Sequence, residues 1–244
     1  MSVETARPEP KPKPKRFYTK AEAGPVEGGH GVLLDGRPVR TPLKALLAVP
    51  HEALGAELAA EWQAQESHID TASMPLTRIA NTAIDAISRE RQSVIDAAAS
   101  YAGTDLVCYR AEGPEGLTTR QSECWDPIIA WAEEATGVRL SLAAGVVAVE
   151  QDPDLVPAIA RLFTAHDDLA LAAIAMTTSM TGSALIALAL SHGALDASAG
   201  WQAAHVDEDW QISQWGEDAE AARRRAALYR DFAAAARILD LSRA

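Results

Sequence analysis

The densest chemistry in the sequence lies between Ala204 and Arg225, which reads AHVDEDWQISQWGEDAEAARRR. Two tryptophans sit among carboxylates, and a run of arginines follows. His205 and Asp209 are four residues apart, so on a helix both reach one face and could hold one metal ion. With Glu208 beside them, they offer one route to metal-assisted hydrolysis, although two ligands do not complete a site and the sequence fixes no third. Trp201, Ala204, His205, Glu208, Ile212 and Trp215 fall on one stripe at 3.6-residue spacing. A glutamate is therefore placed on the line that ought to be buried, which is costly unless it is paired. Either Glu208 is neutralised inside the fold, by Arg223, Arg224 or Arg225, or it is kept for a partner molecule. Asp207, Trp210, Gln211, Gln214 and Asp218 lie on the neighbouring face, and Gly216 offers a break before the last helix.

Other reactive residue types make weaker patterns. Cys108 and Cys124 fit no zinc spacing and have no activating neighbours, so two reduced, inert thiols are expected. Thr181-Gly182-Ser183 is a small-residue kink between helices, not a nucleophile elbow. Gly28, Gly29 and Gly31 lack the spacing and the following helix of a phosphate-binding loop. Asp35, Glu61, Asp85 and Asp105 could pair for acid–base work, but nothing fixes their separation, and solvated or structural roles suit them better. No reaction emerges from the residues. They suit binding better than catalysis, with no metal and no cofactor expected.

The elements that must position these residues divide at Pro75. Met1–Lys15 alternates proline, lysine and glutamate and reads as a disordered, solubilising tail. Residues 16–75 read as a small β-rich domain. In it, Val32–Leu34 and Val39–Thr41 flank Asp35-Gly36, a two-residue hairpin signal. Phe17-Tyr18 is expected to begin an earlier strand, and Ala45–Val49 to add another. His51–Gln65 is a helix with Leu54, Leu58 and Trp62 on its apolar stripe, so Trp62 is expected to wedge against the core. Residues 76–244 read as an all-helical domain: Leu76–Ile87, Gln92–Tyr101, Leu117–Thr136, three alanine-rich helices at Pro153–Ala165, Asp167–Met180 and Ser183–His192, then Ala197–Gln214 and Glu217–Leu239. Asp105–Arg110 is a short extended or turn segment, and Val138–Val149 is apolar enough for a strand. The fold class is α+β.

The 244 residues carry 34 acidic and 22 basic side chains, a net charge of −12. That excess argues against nucleic acid, whose phosphates need a basic face, and against an anionic membrane surface. Leu169–Leu190 is the most apolar run, but Thr177, Thr178, Ser179, Thr181, Gly182 and Ser183 interrupt it before it could span a bilayer.

Six motifs occur in order along the chain: LDGRPVRTP at Leu34–Pro42, EWQAQ at Glu61–Gln65, MPLTRIANTAID at Met74–Asp85, TDLVCYR at Thr104–Arg110, QSECWDP at Gln121–Pro127 and DEDWQISQWG at Asp207–Gly216. Together they resemble the Atp-twelve family of ATP synthase assembly chaperones, over nearly the whole chain from Arg16. The resemblance implies a non-enzymatic protein. It would bind the free α subunit of the F-type ATP synthase catalytic head and keep it soluble until it joins β subunits. The family's acidic helix motif maps onto Glu208, Gln211, Trp215 and Gly216. With Asp207 and Trp210, the first three make the expected partner-binding set. The family's N-terminal tryptophan maps onto Trp62; this residue, with Asp35, Gly36, Arg37 and Gly216, is expected to be structural. Mitochondrial relatives carry a presequence that this N-terminus does not resemble, so a bacterial, cytoplasmic monomer is expected. The competing readings are the metal-assisted hydrolase around Glu208 and an oligomeric scaffold with a buried carboxylate network.

Overall fold

A computed structural model describes residues 12–145 and 149–243. Its β-rich part is centred on the expected hairpin. Strands β1 (Ala21–Val26), β2 (Gly29–Leu34) and β3 (Arg37–Pro38) run antiparallel in that order, and β4 (Ala48–Val49) pairs with β2 on the side of β3. Leu34 faces Arg37 across the turn, with Asp35 at φ 47° and Gly36 at φ 80°. Two successive left-handed residues are what a two-residue hairpin matching the strand twist requires. The Asp35 carboxylate accepts the N–H of Lys20 at 2.9 Å and of Thr19 at 3.1 Å, which holds its pKa below the usual carboxylate range.

The strand expected at Phe17-Tyr18 does not form. Arg16 donates to the carbonyls of Tyr18 (3.0 Å) and Thr19 (2.7 Å), and Asp35 takes the next two N–H groups. The backbone there is already engaged, and the first strand starts at Ala21. Of the expected tail, residues 1–11 lie outside the described residues, whereas Pro12–Lys15 is docked. The Ile69 N–H donates to the Pro14 carbonyl at 2.8 Å, and Lys13 pairs with Asp70 at 2.7 Å.

Helix α1 (Glu52–Gln63) buries Leu54 and Leu58 against β1 and β2. Its last turn reaches the next helix. Glu61 accepts the N–H of Leu76 and Thr77, each at 2.8 Å, and the Thr77 hydroxyl at 2.7 Å. These are orphan donors at the start of α2 (Pro75–Thr82), so Glu61 acts as a cap supplied from another helix. Burial outweighs these bonds and pushes the Glu61 carboxyl up. The chain then continues through a π turn at Ala83–Ile87 into α3 (Ser88–Ser100). The sequence predicts two separate helices here. Through the π turn the first continues past Ile87, and the chain leaves helical angles at Glu90 (φ −123°, ψ 26°), just before the second. Within the π turn Asp85 accepts the Thr41 hydroxyl (2.6 Å) and the Leu43 N–H (3.0 Å).

Helix α4 (Glu115–Thr136) ends at Gly137, whose φ of 72° closes it as a left-handed cap. Strands β5 (Tyr109–Arg110) and β6 (Ala143–Ala144) form a two-residue parallel ladder. Ala143 and Ala144 are the only strand residues described in the expected Val138–Val149 strand, of which residues 146–148 lie outside the described residues. Helices α5 (Leu155–Thr164), α6 (Asp168–Thr181) and α7 (Ala184–Ser191) follow as the alanine-rich pattern predicts. Every residue of α7 is buried, as its apolar character on all sides requires. The C-terminal region is thus helical, and the fold is α+β. Buried side chains of both parts, from Val32 and Leu54 through Ile79 to Leu171 and Leu239, belong to one continuous core.

Asp105 lies at the centre of this core, fully buried. It accepts the Ser183 hydroxyl at 2.6 Å, the Leu185 N–H at 3.0 Å and the Val107 N–H at 3.3 Å. It thereby ties a 3-10 turn at Leu106–Cys108 to the start of α7. Burial dominates these bonds and pushes the Asp105 carboxyl up to about 6. Between the unfolded value near 4 and that level, the folded chain keeps a proton that the unfolded chain releases. The group's contribution to stability is therefore complete below about pH 4 and declines as the pH rises to about 6. Asp105→Ala should orphan buried donors and cost about 3 kcal/mol in urea unfolding at pH 4, and less at pH 7. The same substitution should remove that downward slope from a pH series of unfolding free energies.

Candidate functional site

The acidic stretch folds as two helices rather than one. Helix α8 (Ala197–Ala204) and helix α9 (Val206–Trp215) meet at His205, whose φ of −123° and ψ of 19° leave the helical region. This breaks the stripe drawn through Trp201, Glu208 and Trp215. Trp201 remains over the core, against Phe232 (5.4 Å between ring centroids) and Tyr229 (5.2 Å). Glu208 is not buried: its side chain is 49% exposed, and Trp215 is 79% exposed. The expectation of a glutamate sheltered on an apolar line is thus corrected. The break at His205 re-aims everything that follows it.

Helix α9 is held from beneath by α4. Val206 is buried. Asp207 accepts from Gln121 Nε2 at 2.7 Å, and the buried Gln121 accepts the Ala111 N–H at 2.8 Å through its Oε1. Trp210 lies across Gly116, where a Cβ would approach its ring to 2.5 Å, and the Arg120 guanidinium sits 4.9 Å from the centre of that ring. One turn back, the indole N–H of the buried Trp125 donates to the Ala203 carbonyl at 2.7 Å, which fixes the end of α8. So Asp207 and Trp210, which the sequence groups with the partner-binding residues, face α4.

Helix α10 (Ala219–Ser242) starts after Gly216 (φ 84°) and is capped by Asp218, which accepts the N–H of Glu220 and Ala221 at 2.9 and 3.0 Å. It runs back beside α9, since Arg225 pairs with Asp209 and Tyr229 reaches Trp201. Arg225 is the cation that the sequence left among three candidates. Its tight partner is Asp209, with Glu208 at 3.9 Å. Glu208 is left largely to solvent.

Asp207, Glu208, Gln211, Ser213, Gln214 and Trp215 are exposed on α9. Of these, Glu208, Gln211 and Trp215 are spaced i, i+3 and i+7, so they share one face. An exposed tryptophan between carboxyl and amide groups presents apolar area with polar handles, a composition typical of binding hot spots. The metal reading loses its ligands. The His205 ring stacks on Trp201 at 3.7 Å with Nδ1 2.9 Å from the Trp201 carbonyl, and Asp209 is engaged by Arg225. Among the described residues no three histidine, cysteine or carboxylate side chains converge as a metal site.

The other motif residues lie away from α9. Asp35 and Gly36 make the turn described above, and Arg37 begins β3, exposed. Trp62 is half-buried rather than at the centre of the core; its carbonyl accepts the Tyr18 hydroxyl at 2.5 Å. Both cysteines are free, and burial pushes the Cys108 thiol up to about 12, which leaves it inert. The inward role of Gly116 was not found from sequence; its position opposite Trp210 exists only once α4 and α9 pack. Gly116→Ala should displace the Trp210 ring and loosen α9. Hydrogen exchange should then accelerate in the α9 amides and stay unchanged in the buried second half of α10.

Similarity to known proteins bears on this geometry. The sequence pattern of the family described as ATP12 chaperone protein matches residues 15–133. Atu1473 of Agrobacterium tumefaciens, a crystal structure described as that of a candidate chaperone, is 43% identical, with a TM-score of 0.87 over 95% of this chain and 87% of that one. Atp12 of Paracoccus denitrificans is 37% identical, with a TM-score of 0.85 over 94% of this chain and 98% of that one. Protein atp12, mitochondrial, of Schizosaccharomyces pombe is 27% identical over 89% of this chain and 80% of its own length. With an identity above one third maintained across almost the full length of both chains, this protein belongs to the ATP12 chaperone family.

Proposed function

We propose that this protein is an assembly chaperone that binds the free α subunit of the F-type ATP synthase catalytic head and holds it soluble until β subunits join it. The observation that supports this reading best is the outward face of α9. Glu208, Gln211 and Trp215 are the residues onto which the family's helix motif maps, and they share the exposed side of a helix docked firmly from behind.

The physical logic follows from the client. A subunit made for an alternating ring exposes apolar interface until its neighbours arrive, and such surface aggregates. A cover must bind it and then leave. Trp215 supplies apolar area, while Glu208 and Gln211 supply polar contacts that register the client without sealing it in. Site and client in this reading meet in the bacterial cytoplasm, with the chaperone as a monomer and without metal or nucleotide.

Glu208→Gln and Trp215→Ser test the site. Both side chains are exposed, and the Asp209–Arg225 pair survives either change, so melting temperatures should stay near the wild type. Light scattering of α subunit diluted from denaturant should show a clear loss of protection by both variants. Trp215→Ser should weaken binding by on the order of 2 kcal/mol, about thirtyfold in Kd. Full protection by both variants would remove α9 as the contact surface. A large stability loss in Glu208→Gln with binding preserved at low temperature would return Glu208 to a purely structural role.

A further inference from the structure

A second surface is built wholly by the β-rich region. The segment before β1 presents Phe17, 74% exposed. Its ring meets Tyr18 edge-on at 5.4 Å, and Tyr18 meets Trp62 at 5.9 Å. These three rings line a groove of about 550 Å³, with Pro38 and Val39 also in its wall and the exposed Arg37 and Arg40 contributing guanidinium groups. The one carboxylate in the lining, Asp35, is already engaged by the N–H groups of Thr19 and Lys20. Arg40 donates one N–H to the Lys44 carbonyl at 2.8 Å. Thus a chain with a net charge of −12 carries here an aromatic slot edged by arginines.

We propose that this groove docks an extended segment of the client in which carboxylates flank an apolar side chain. The aromatic rings suit the apolar group, since they bury large area with few rotamers to freeze. The arginine forks suit carboxylates, which they bind with two parallel N–H donors. The charge of the occupant follows from complementarity: an acidic segment is repelled by most of this surface and attracted only where guanidinium groups outnumber free carboxylates. Its conformation follows from size, because a helix about 10 Å across would overfill the groove within two turns. The client is the α subunit named above, so this inference rests on that reading. It adds a second contact, remote in sequence from α9 and opposite in charge, and two linked contacts would hold a client more firmly than either alone.

The test uses the full chain and overlapping peptides spanning the α subunit, read by fluorescence anisotropy, beside protection of the intact α subunit. Phe17→Ser and Arg37→Glu are combined in one variant; both positions are exposed, so its melting temperature should match the wild type. The wild type should retain peptides in which Asp or Glu flanks an apolar residue, and the variant should bind them about tenfold more weakly or worse. Binding by the wild type should weaken as salt rises. Arg37→Lys, which keeps the charge and loses the fork, should fall between the two. Equal binding by variant and wild type would overturn the groove alone and leave the assembly reading standing. Retention of lysine-rich peptides would overturn it too, as would a wild-type dimer that Phe17→Ser dissolves, since the occupant would then be a second copy. A wild-type protein that protects no α subunit would overturn the assembly reading and this inference with it.

Discussion

The carboxylate of Asp105, fully buried and surrounded by three donors, sets the geometry on which the helical region depends. It joins a 3-10 turn to the start of α7, a fully buried helix against which α3, α4, α5, α6, α8 and α10 pack. The same device recurs at lower burial. Glu61 caps α2 from α1, Asp167 caps α6 by accepting the Ala170 N–H at 2.7 Å, Asp218 caps α10, and Asp85 holds the loop at Leu43. Each carboxylate satisfies backbone donors that a helix start or tight loop leaves orphaned, and favours the positive end of a helix dipole where there is one. A large share of the acidic excess in this sequence is therefore architecture. Glu208 differs in kind: it caps no helix within hydrogen-bond reach, and its nearest cation is already closer to Asp209.

Helix α10 connects that architecture to the candidate surface. Its second half is core, with Phe232, Ala235, Ile238 and Leu239 buried. Two ion pairs fasten it to the earlier helices, Arg78–Asp231 to α2 and Arg237–Glu57 to α1 at 2.7 Å. Its first half is more open, with Leu228 and Tyr229 exposed; it lies alongside α8 and reaches α9 through the Arg225–Asp209 pair. The acidic helix is thus docked on α4 and tied to an element whose far end is anchored in the core. That arrangement presents Trp215 on a supported surface rather than on a loose arm, which lowers the ordering cost of binding.

The two surfaces described above differ in charge, and the difference has a mechanical meaning. The face of α9 is acidic and presents one large indole. The groove at Phe17 is aromatic and edged by arginines. In the proposed reading, contacts of opposite sign would orient a client as well as cover it, because a reversed client would place like charges together. Release would need only that a permanent neighbour bury more area on the same patch.

Much of the fold was legible in the sequence because the signals are local. Asp35-Gly36 fixes a hairpin by the backbone angles it tolerates, apolar spacing marks α1 and the alanine-rich helices, and Gly137 and Gly182 mark helix ends by taking left-handed angles. The ordered motifs carried the family. The face of α9 was not legible, because it depends on a break at His205 that 3.6-residue spacing cannot reveal and on a glycine, Gly116, ninety-odd residues upstream that lets Trp210 lie down. The strand expected to begin at Phe17-Tyr18 starts only at Ala21 for a similar reason: Arg16 takes the Tyr18 and Thr19 carbonyls, and Asp35 takes the N–H groups of Thr19 and Lys20. Local signals in the chain were enough for the Asp35-Gly36 hairpin, α1 and the alanine-rich helices. Which carboxylates the fold engages and which stay exposed was not written in local spacing, since that depends on whose orphan N–H or guanidinium group packing brings within reach of each one.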